Sequence, residues 1–336
     1  MTTGRVTSLD VAALAGVSRS AVSRVFTPGA SVSPATAAKV REAAEKLGYR
    51  PNVLARAMLT GRSHIIGLVV AYLDNHFYPT VLEQLSAALE REGYNVLVFM
   101  AQPSADGVDD TVQEILDYQV DGLILASVAL SSDLADRCRA LGVPVVLFNR
   151  RQGEASEIAV VSDNARGGRL ATRHLIEGGA RKIGHIAGFE GASTQVDREA
   201  GMMDELARHG MRLHAREVGN FDPEEARAAA RRMFARPDPP DAVFVANDYM
   251  AFMVMDVLRT ELGLDIPGDV AVVGFDDVPT ASFDAYSLTT IRQDSAAMVA
   301  ATVTALMDGI SGAAEPPSAP LPVDLIVRRS TRPPRG

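Results

Sequence analysis

From His64 onward, short apolar runs rich in β-branched residues alternate with amphipathic stretches: IIGLVVA, VLEQLSAALEREG, NVLVFM, TVQEILDYQ, DGLILAS, LADRCRALG and VPVVLFN follow in that order. A run that is apolar at every position fits a strand covered on both faces, and a helix between successive strands lets them pair in parallel. The alternation therefore predicts an α/β layer structure around a parallel sheet. It restarts in KIGHIAG, AVFVAN and VAVVGF, which predicts a second lobe on the same plan. In open parallel sheets, ligands collect beyond the carboxyl ends of the strands. That rule selects Phe77 and Tyr78 after the first strand, Asn149 after VPVVLF, Asn247 and Asp248 after AVFVA, and Asp276 and Asp277 after VAVVGF.

With 336 residues the chain suits two or three domains. No apolar run approaches the roughly 18 residues that a membrane helix needs, so no membrane partner is expected. The opening MTTGRVTSLD has no apolar core followed by a small-residue cleavage site, which predicts a cytoplasmic protein. A single cysteine, Cys138, excludes an internal disulfide and reads as a small core filler. The net charge of −9 argues at first against a nucleic-acid partner, but it is unevenly distributed. Residues 1–62 hold nine Lys/Arg against three acids, a balance of +6, so the remainder carries −15. A basic head can meet phosphate while an acidic body resists non-specific adhesion.

That head has its own local grammar. Thr7 precedes LDVAALA, which stops at Gly16, giving an N-cap, two turns of helix and a glycine terminator. Ser18 can cap RSAVSRVF, whose Ala21, Val22 and Val25 form one face and whose Arg19, Ser20, Ser23 and Arg24 form the other. Ser33 and Pro34 open a third helix with an apolar stripe at Val40, Ala44 and Leu47, closed by Gly48. Two short helices on a tight glycine turn, the second with an Arg-Ser-Ser-Arg face, predict a helix-turn-helix.

Two segments, VTSLDVAALAGVSRSAVSRVF and VSPATAAKVREAAEKLGYRPNVLARAM, resemble the head and hinge of the LacI/GalR family of bacterial transcription regulators. The resemblance implies that Arg19, Ser20 and Arg24 meet base edges in the major groove, which suits the bidentate fit of arginine to guanine. It places Thr7, Ser18, Ser23 and Thr27 on phosphates. Two positions depart from the family pattern, since Ala21 replaces a threonine and Ser8 a leucine. The stretch Tyr49 to Met58 resembles the hinge helix that enters the minor groove, which implies DNA contacts for Asn52, Ala55 and Met58, with Met58 as the apolar wedge in place of leucine.

The body resembles the same family through DGLILAS, SDNARGGRLATRHLIEGGARKIGHIAG, AND, VAVVGFDD and LTTIRQD. That implies a two-lobed, periplasmic-binding-protein-like fold. The division implied is a helix-turn-helix head at 1–48, a hinge at 49–63 and a body at 64–336. Within the body, lobe 1 spans about 64–162 plus 291–322 and lobe 2 about 163–290 plus 323–331. Effector contacts map onto Phe77, Tyr78, Asn149, Arg198, Phe221, Asn247, Asp276 and Gln293, with Arg198 of the DREAG segment placed across the cleft from Asp276. Such a set suits a polyhydroxylated ligand: arginine supplies forked donors, aspartate accepts from adjacent hydroxyls, and aromatic faces cover C–H surface. Asn149 stands where many sugar-binding relatives have aspartate.

Other chemistry is not signalled. The six histidines show no metal-ligand spacing, no GxSxG elbow or GxxxxGK[ST] loop is present, and GGRL at 167–170 reads as a helix start after Asp163. Neither an enzyme nor a cofactor is expected. No leucine heptad follows Pro316, so a homodimer is expected rather than a tail-zippered tetramer. The expectation is a regulator, repressor or activator, that binds a pseudo-palindromic double-stranded operator under the control of a small polar effector of the sugar class. A solute-binding protein without a regulatory role and a nucleotide-dependent enzyme remain as alternatives.

Overall fold

A computed structural model describes the chain except for residues 1–5, 28–29, 51–61, 72, 102–104, 129–130, 153–157, 314–318 and 335–336. It forms two compact units, residues 1–63 and 64–336.

The first unit contains helices α1 (Ser8–Ala15), α2 (Arg19–Val25) and α3 (Pro34–Leu47). Each boundary has a local cause. The Asp10 carboxylate accepts from the Thr7 amide at 2.8 Å and the Thr7 hydroxyl at 2.7 Å, closing the first turn of α1. Gly16 and Gly48 both lie at φ 65°, a left-handed conformation that ends a helix without steric cost in glycine alone. Ser18 and Ser33 accept from the amides of Ala21 and Thr36, each at 3.2 Å, satisfying donors that the new helix leaves open. Val11, Ala12, Val22, Val40, Ala43 and Ala44 form the buried centre.

The second unit contains two sheets. The first has the order β2-β1-β3-β4-β5, from β1 (Ile65–Val70), β2 (Asn95–Met100), β3 (Gly122–Ala126), β4 (Val145–Phe148) and β5 (Ile158–Val160), all parallel. Helices α4 (Phe77–Arg91), α5 (Ala105–Asp117) and α6 (Ser132–Ala140) connect its strands. Cys138 is fully buried in the apolar cluster beside this sheet.

The second sheet has the order β11-β10-β9-β8-β6-β7, from β6 (Ile183–Ala187), β7 (Ala215–Val218), β8 (Ala242–Val245), β9 (Ala271–Asp276), β10 (Thr289–Gln293) and β11 (Val323–Ile326). Its connecting helices are α7 (Asn164–Glu177), α8 (Ser193–Arg208), α9 (Pro223–Phe234) and α10 (Asp248–Asp256). Strands β3, β6, β8 and β9 are buried at every position, as a strand covered on both faces should be; β3 and β8 are apolar throughout, whereas β6 buries His185 and β9 ends on Asp276. Among the described strands only β11 runs antiparallel, pairing Val323 with Gln293 and Ile326 with Thr290.

Helix α11 (Ser295–Ser311) packs on β4 and α4 of the first sheet, so the chain crosses between the lobes three times. Because β10 runs to Gln293 inside the second sheet, the return to the first lobe begins after Gln293 and not at about 291. The GGRL segment lies within α7, whose first turn is capped by Asp163 accepting from the Arg166 amide at 2.9 Å.

Two glycines set the approach of α7 to α8. A Cβ on Gly168 would lie 2.0 Å from the Arg198 carbonyl oxygen, and one on Gly201 would lie 1.9 Å from the Ala165 carbonyl oxygen. Neither backbone could hold its place with alanine there, so the two glycines seat the helix that carries Arg198.

Candidate effector site and nucleic-acid interface

A cavity of about 590 Å³ opens at the carboxyl ends of the strands of both sheets. Strand-end residues supply part of its wall: Ser127 after β3, Asn149 after β4, Asn220 and Phe221 after β7, Asn247 after β8 and Asp276 at the end of β9. Asn75 and Tyr78 come from the start of α4, and Arg198 from the first turns of α8. Five of these residues have positive φ: Ser127 (58°), Asn149 (70°), Asn220 (52°), Phe221 (61°) and Asp276 (126°). Such conformations are costly for non-glycine residues and persist where the surroundings over-determine them, as at ligand clamps.

Arg198 and Asp276 form the buried polar centre, each side chain less than one-twentieth exposed. The Arg198 Nε donates to Asn164 Oδ1 at 2.8 Å and Nη1 donates to the Ala246 carbonyl at 2.6 Å. Its guanidinium stacks 3.6 Å from the Phe275 ring centroid, and its third nitrogen lies 3.7 Å from the Asp276 carboxylate. Since α8 and β9 belong to one lobe, the pair does not face itself across the cleft, which corrects the arrangement the resemblance implied. At this buried centre the lobes are linked by Asn75, whose Nδ2 donates to Asp276 Oδ2 at 3.2 Å, while Arg151 with Asp197 and His76 with Thr280 bridge them at the exposed rim.

In the first lobe, the Tyr78 and Ser127 hydroxyls share a short hydrogen bond. The Asn149 amide donates to both oxygens at 3.1 Å. Asn149 Oδ1 is buried and has no partner among the described residues.

Two expected contacts fall outside this wall. Phe77 is adjacent to Tyr78, but successive helix positions diverge by about 100°; its ring lies in the core, 6.3 Å from Phe148, and does not line the cavity. Gln293 sits behind the site, its Nε2 donating to Asp276 Oδ1 at 2.7 Å. Asn247 both lines the cavity and caps α10, accepting from the Met250 amide at 3.0 Å. Ser127, Arg150, Phe189 and Asn220 were missed although they follow β3, β4, β6 and β7 and the strand-end rule selects them equally, and Asn75 and Tyr249 lie within two residues of positions that it did select.

Asp248 does not reach the cavity. It lies fully buried under β10, where Thr290 Oγ1 donates to Oδ1 at 2.6 Å and the Val278 amide to Oδ2 at 3.0 Å. Burial, reinforced by the nearby Asp276 charge, pushes its carboxyl up to about 8. The Asp276 carboxyl is also pushed up by burial, against the pull of Arg198 and the amides of Asn75 and Gln293. With its pKa raised on folding, Asp248 contributes stability that is fully present below about pH 4 and is lost as pH rises through about 8, by at most about 1.4 kcal/mol per pH unit. Asp248→Asn can hold both partners in neutral form, its Oδ1 accepting from the Val278 amide and its Nδ2 donating to Thr290 Oγ1. Its melting temperature relative to the parent should rise between pH 5 and pH 8.5; an unchanged difference would show that Asp248 ionises normally.

In the head, Arg19, Ser20, Ser23 and Arg24 are exposed along one side of α2, around the buried Val22. The Arg19 Nε donates to Ser8 Oγ at 3.2 Å, Ser18 and Ser20 share a hydroxyl hydrogen bond of 2.9 Å, and Thr27 donates to the Ser23 carbonyl at 2.8 Å. Ser8, the departure from the family pattern, thus braces the first arginine of the face. The Thr7 hydroxyl is occupied with Asp10. Asn52, Ala55 and Met58 lie outside the described residues. Among the described residues no helix is long and apolar enough to cross a membrane.

Comparison with known proteins agrees with both units. Residues 7–52 match the bacterial regulatory proteins, lacI family, and residues 172–331 match the periplasmic binding protein-like domain. The HTH-type transcriptional regulator CelR of Thermobifida fusca is 36% identical over 95% of this chain and 96% of its own. The probable HTH-type transcriptional repressor ExuR of Bacillus subtilis (strain 168) is 31% identical over 86% of each. A lac repressor dimer solved with operator and the anti-inducer ONPF superposes with a TM-score of 0.88 at 29% identity, over 97% of this chain and 99% of that one. These relatives are transcription regulators and not enzymes, and the match over the head removes the reading as a solute-binding protein without a regulatory role. With its helix-turn-helix head and two-lobed parallel-sheet body, the chain is a DNA-binding transcription regulator that belongs to the LacI family.

Proposed function

We propose that this regulator acts in the cytoplasm as a homodimeric repressor that holds a pseudo-palindromic operator and changes its grip when a small polyhydroxylated effector enters the body cavity. Residues 1–48 read the operator, 49–63 couple head to body, and 64–336 bind effector and partner. The observation that carries this reading is the Asn75–Asp276 hydrogen bond, which joins the two lobes at the buried centre of the cavity. A ligand that competes for Asp276 replaces that link and so biases the orientation of one lobe against the other. Arg19, Ser20 and Arg24 contact bases, Thr7, Ser18, Ser23 and Thr27 contact phosphates, and Asn52, Ala55 and Met58 act in the minor groove. CelR has been solved as a cellobiose complex, which supports an effector of the sugar class.

Footprinting combined with sugar titration tests the proposal. Two heads should protect two half-sites about one helical turn apart. A sugar bound by the body should change operator affinity by about 5- to 150-fold, the range of a coupling free energy of 1–3 kcal/mol. Protection of a single half-site by a monomer would contradict the dimeric reading, and sugar binding without any change in operator affinity would contradict the control mechanism.

A further inference from the structure

We propose that the effector is an acidic sugar, with its anionic group, a carboxylate or a phosphate ester, held by Arg150. This rests on the reading of the cavity as the effector site. Six charged side chains line it: Asp74, Arg150, Arg198, Asp222, Glu225 and Asp276. Arg198 and Asp276 neutralise each other in the buried centre. Asp74, Asp222 and Glu225 are exposed, and two of them are engaged: Asp222 accepts from the amides of Glu224 and Glu225 at 2.9 Å, and Glu225 accepts from Asn220 at 2.6 Å. Water screens those three carboxylates.

Arg150 differs from every one of them. Its Nε is buried with no hydrogen-bond partner among the described residues, and its guanidinium lies over the Phe221 ring face, 5.5 Å from the centroid. The adjacent Arg151 shows what an arginine here does when an acid is in reach, since it pairs with Asp197 at 2.8 Å. With the Arg198–Asp276 pair cancelled, Arg150 leaves the interior of the cavity one positive charge in excess. A planar cation backed by an aromatic face and lacking a carboxylate partner among the described residues is arranged for an oxyanion, which forms charge-assisted hydrogen bonds to guanidinium.

The neighbouring orphan specifies the rest of the ligand. Asn149 Oδ1 is a buried acceptor without a donor, and a hydroxyl supplies one. An unpartnered acceptor and an unpartnered cationic donor on consecutive residues match a hydroxyl and an acidic group carried by one small molecule. Phe189 and Phe221, both lining the cavity, offer faces for its C–H surface.

The test measures binding of glucose, glucuronate, glucose 6-phosphate, galactose and galacturonate to the full-length protein by calorimetry at constant ionic strength. At least one acidic sugar should bind ten-fold or more tightly than its neutral parent. Arg150→Gln should bring that ratio close to one, and Arg150→Lys, which keeps the charge but loses the fork, should retain part of it. A melting temperature for each unliganded variant checks that the fold is intact. Preference for glucuronate or galacturonate assigns the carboxylate, and preference for glucose 6-phosphate assigns the ester; either supports the inference. Neutral sugars that bind as tightly as their acids, or a ratio that survives Arg150→Gln, would overturn it while leaving the effector site standing. Failure of every sugar to bind would overturn both.

Discussion

Arg198→Ala should cost the body about 3–5 kcal/mol of stability and abolish the effector response at the same time. The side chain is buried, it hydrogen-bonds Asn164 and Ala246, it stacks on Phe275, and it is the only guanidinium beside Asp276 among the described residues. Truncation therefore leaves an uncompensated carboxylate in the interior together with a cavity. For a body of this size the loss corresponds to a fall in melting temperature on the order of 10 °C. The double variant Arg198→Met with Asp276→Asn removes both charges and should recover part of the stability without recovering effector control. Urea unfolding of parent, single and double variants, alongside effector titration, checks this. A single variant that melts with the parent yet ignores effector would show that the pair is not a folding determinant.

The second large effect is on salt. The head carries a balance of +6, and a dimer presents two such heads to the operator. If the pair of heads neutralises about six to ten phosphates, operator affinity should fall about 10³- to 10⁵-fold between 50 and 200 mM salt. Arg24→Ala should cost about 1–3 kcal/mol and relax base preference at its own position, since a base contact specifies as well as binds. The log–log slope of affinity against salt, measured for the parent and Arg24→Ala on operator and on random DNA, separates the terms. A slope near zero would rule out the phosphate contacts assigned to the head, and equal losses on both DNAs would rule out base reading by Arg24.

The head was legible because its instructions are local. Ser18 and Ser33 cap their helices through bonds to amides three residues away, Gly16 and Gly48 stop helices through their own φ, and Val11, Val22 and Val40 meet as their periodicity requires. The parallel sheets were legible for a similar reason, since a strand covered on both faces must be apolar throughout and helices must intervene. From these rules the ends of strands, and hence Asn149, Asn247 and Asp276, could be selected as cavity residues.

What the sequence determined by itself, then, was the helices of the head with their caps, the alternation of apolar strands and helices in the body, and at which end of the sheets polar residues would gather; β5, β7 and α9 to α11 were not read from it. Tertiary structure decided which side chains meet. Tyr78 faces the cavity while Phe77 packs on Phe148, because one helical step turns the side chain by about 100° and only the docking of α4 chooses which of the two points inward. Arg198 shares a lobe with Asp276, and Gln293 supports that carboxylate from behind, because β10 pairs with β9 inside the second sheet. Gly168 and Gly201 let α7 and α8 approach closely enough to seat Arg198 at all. Contacts between residues tens of positions apart depend on crossing angles and on side-chain volumes summed over many neighbours, and no short window of sequence contains either.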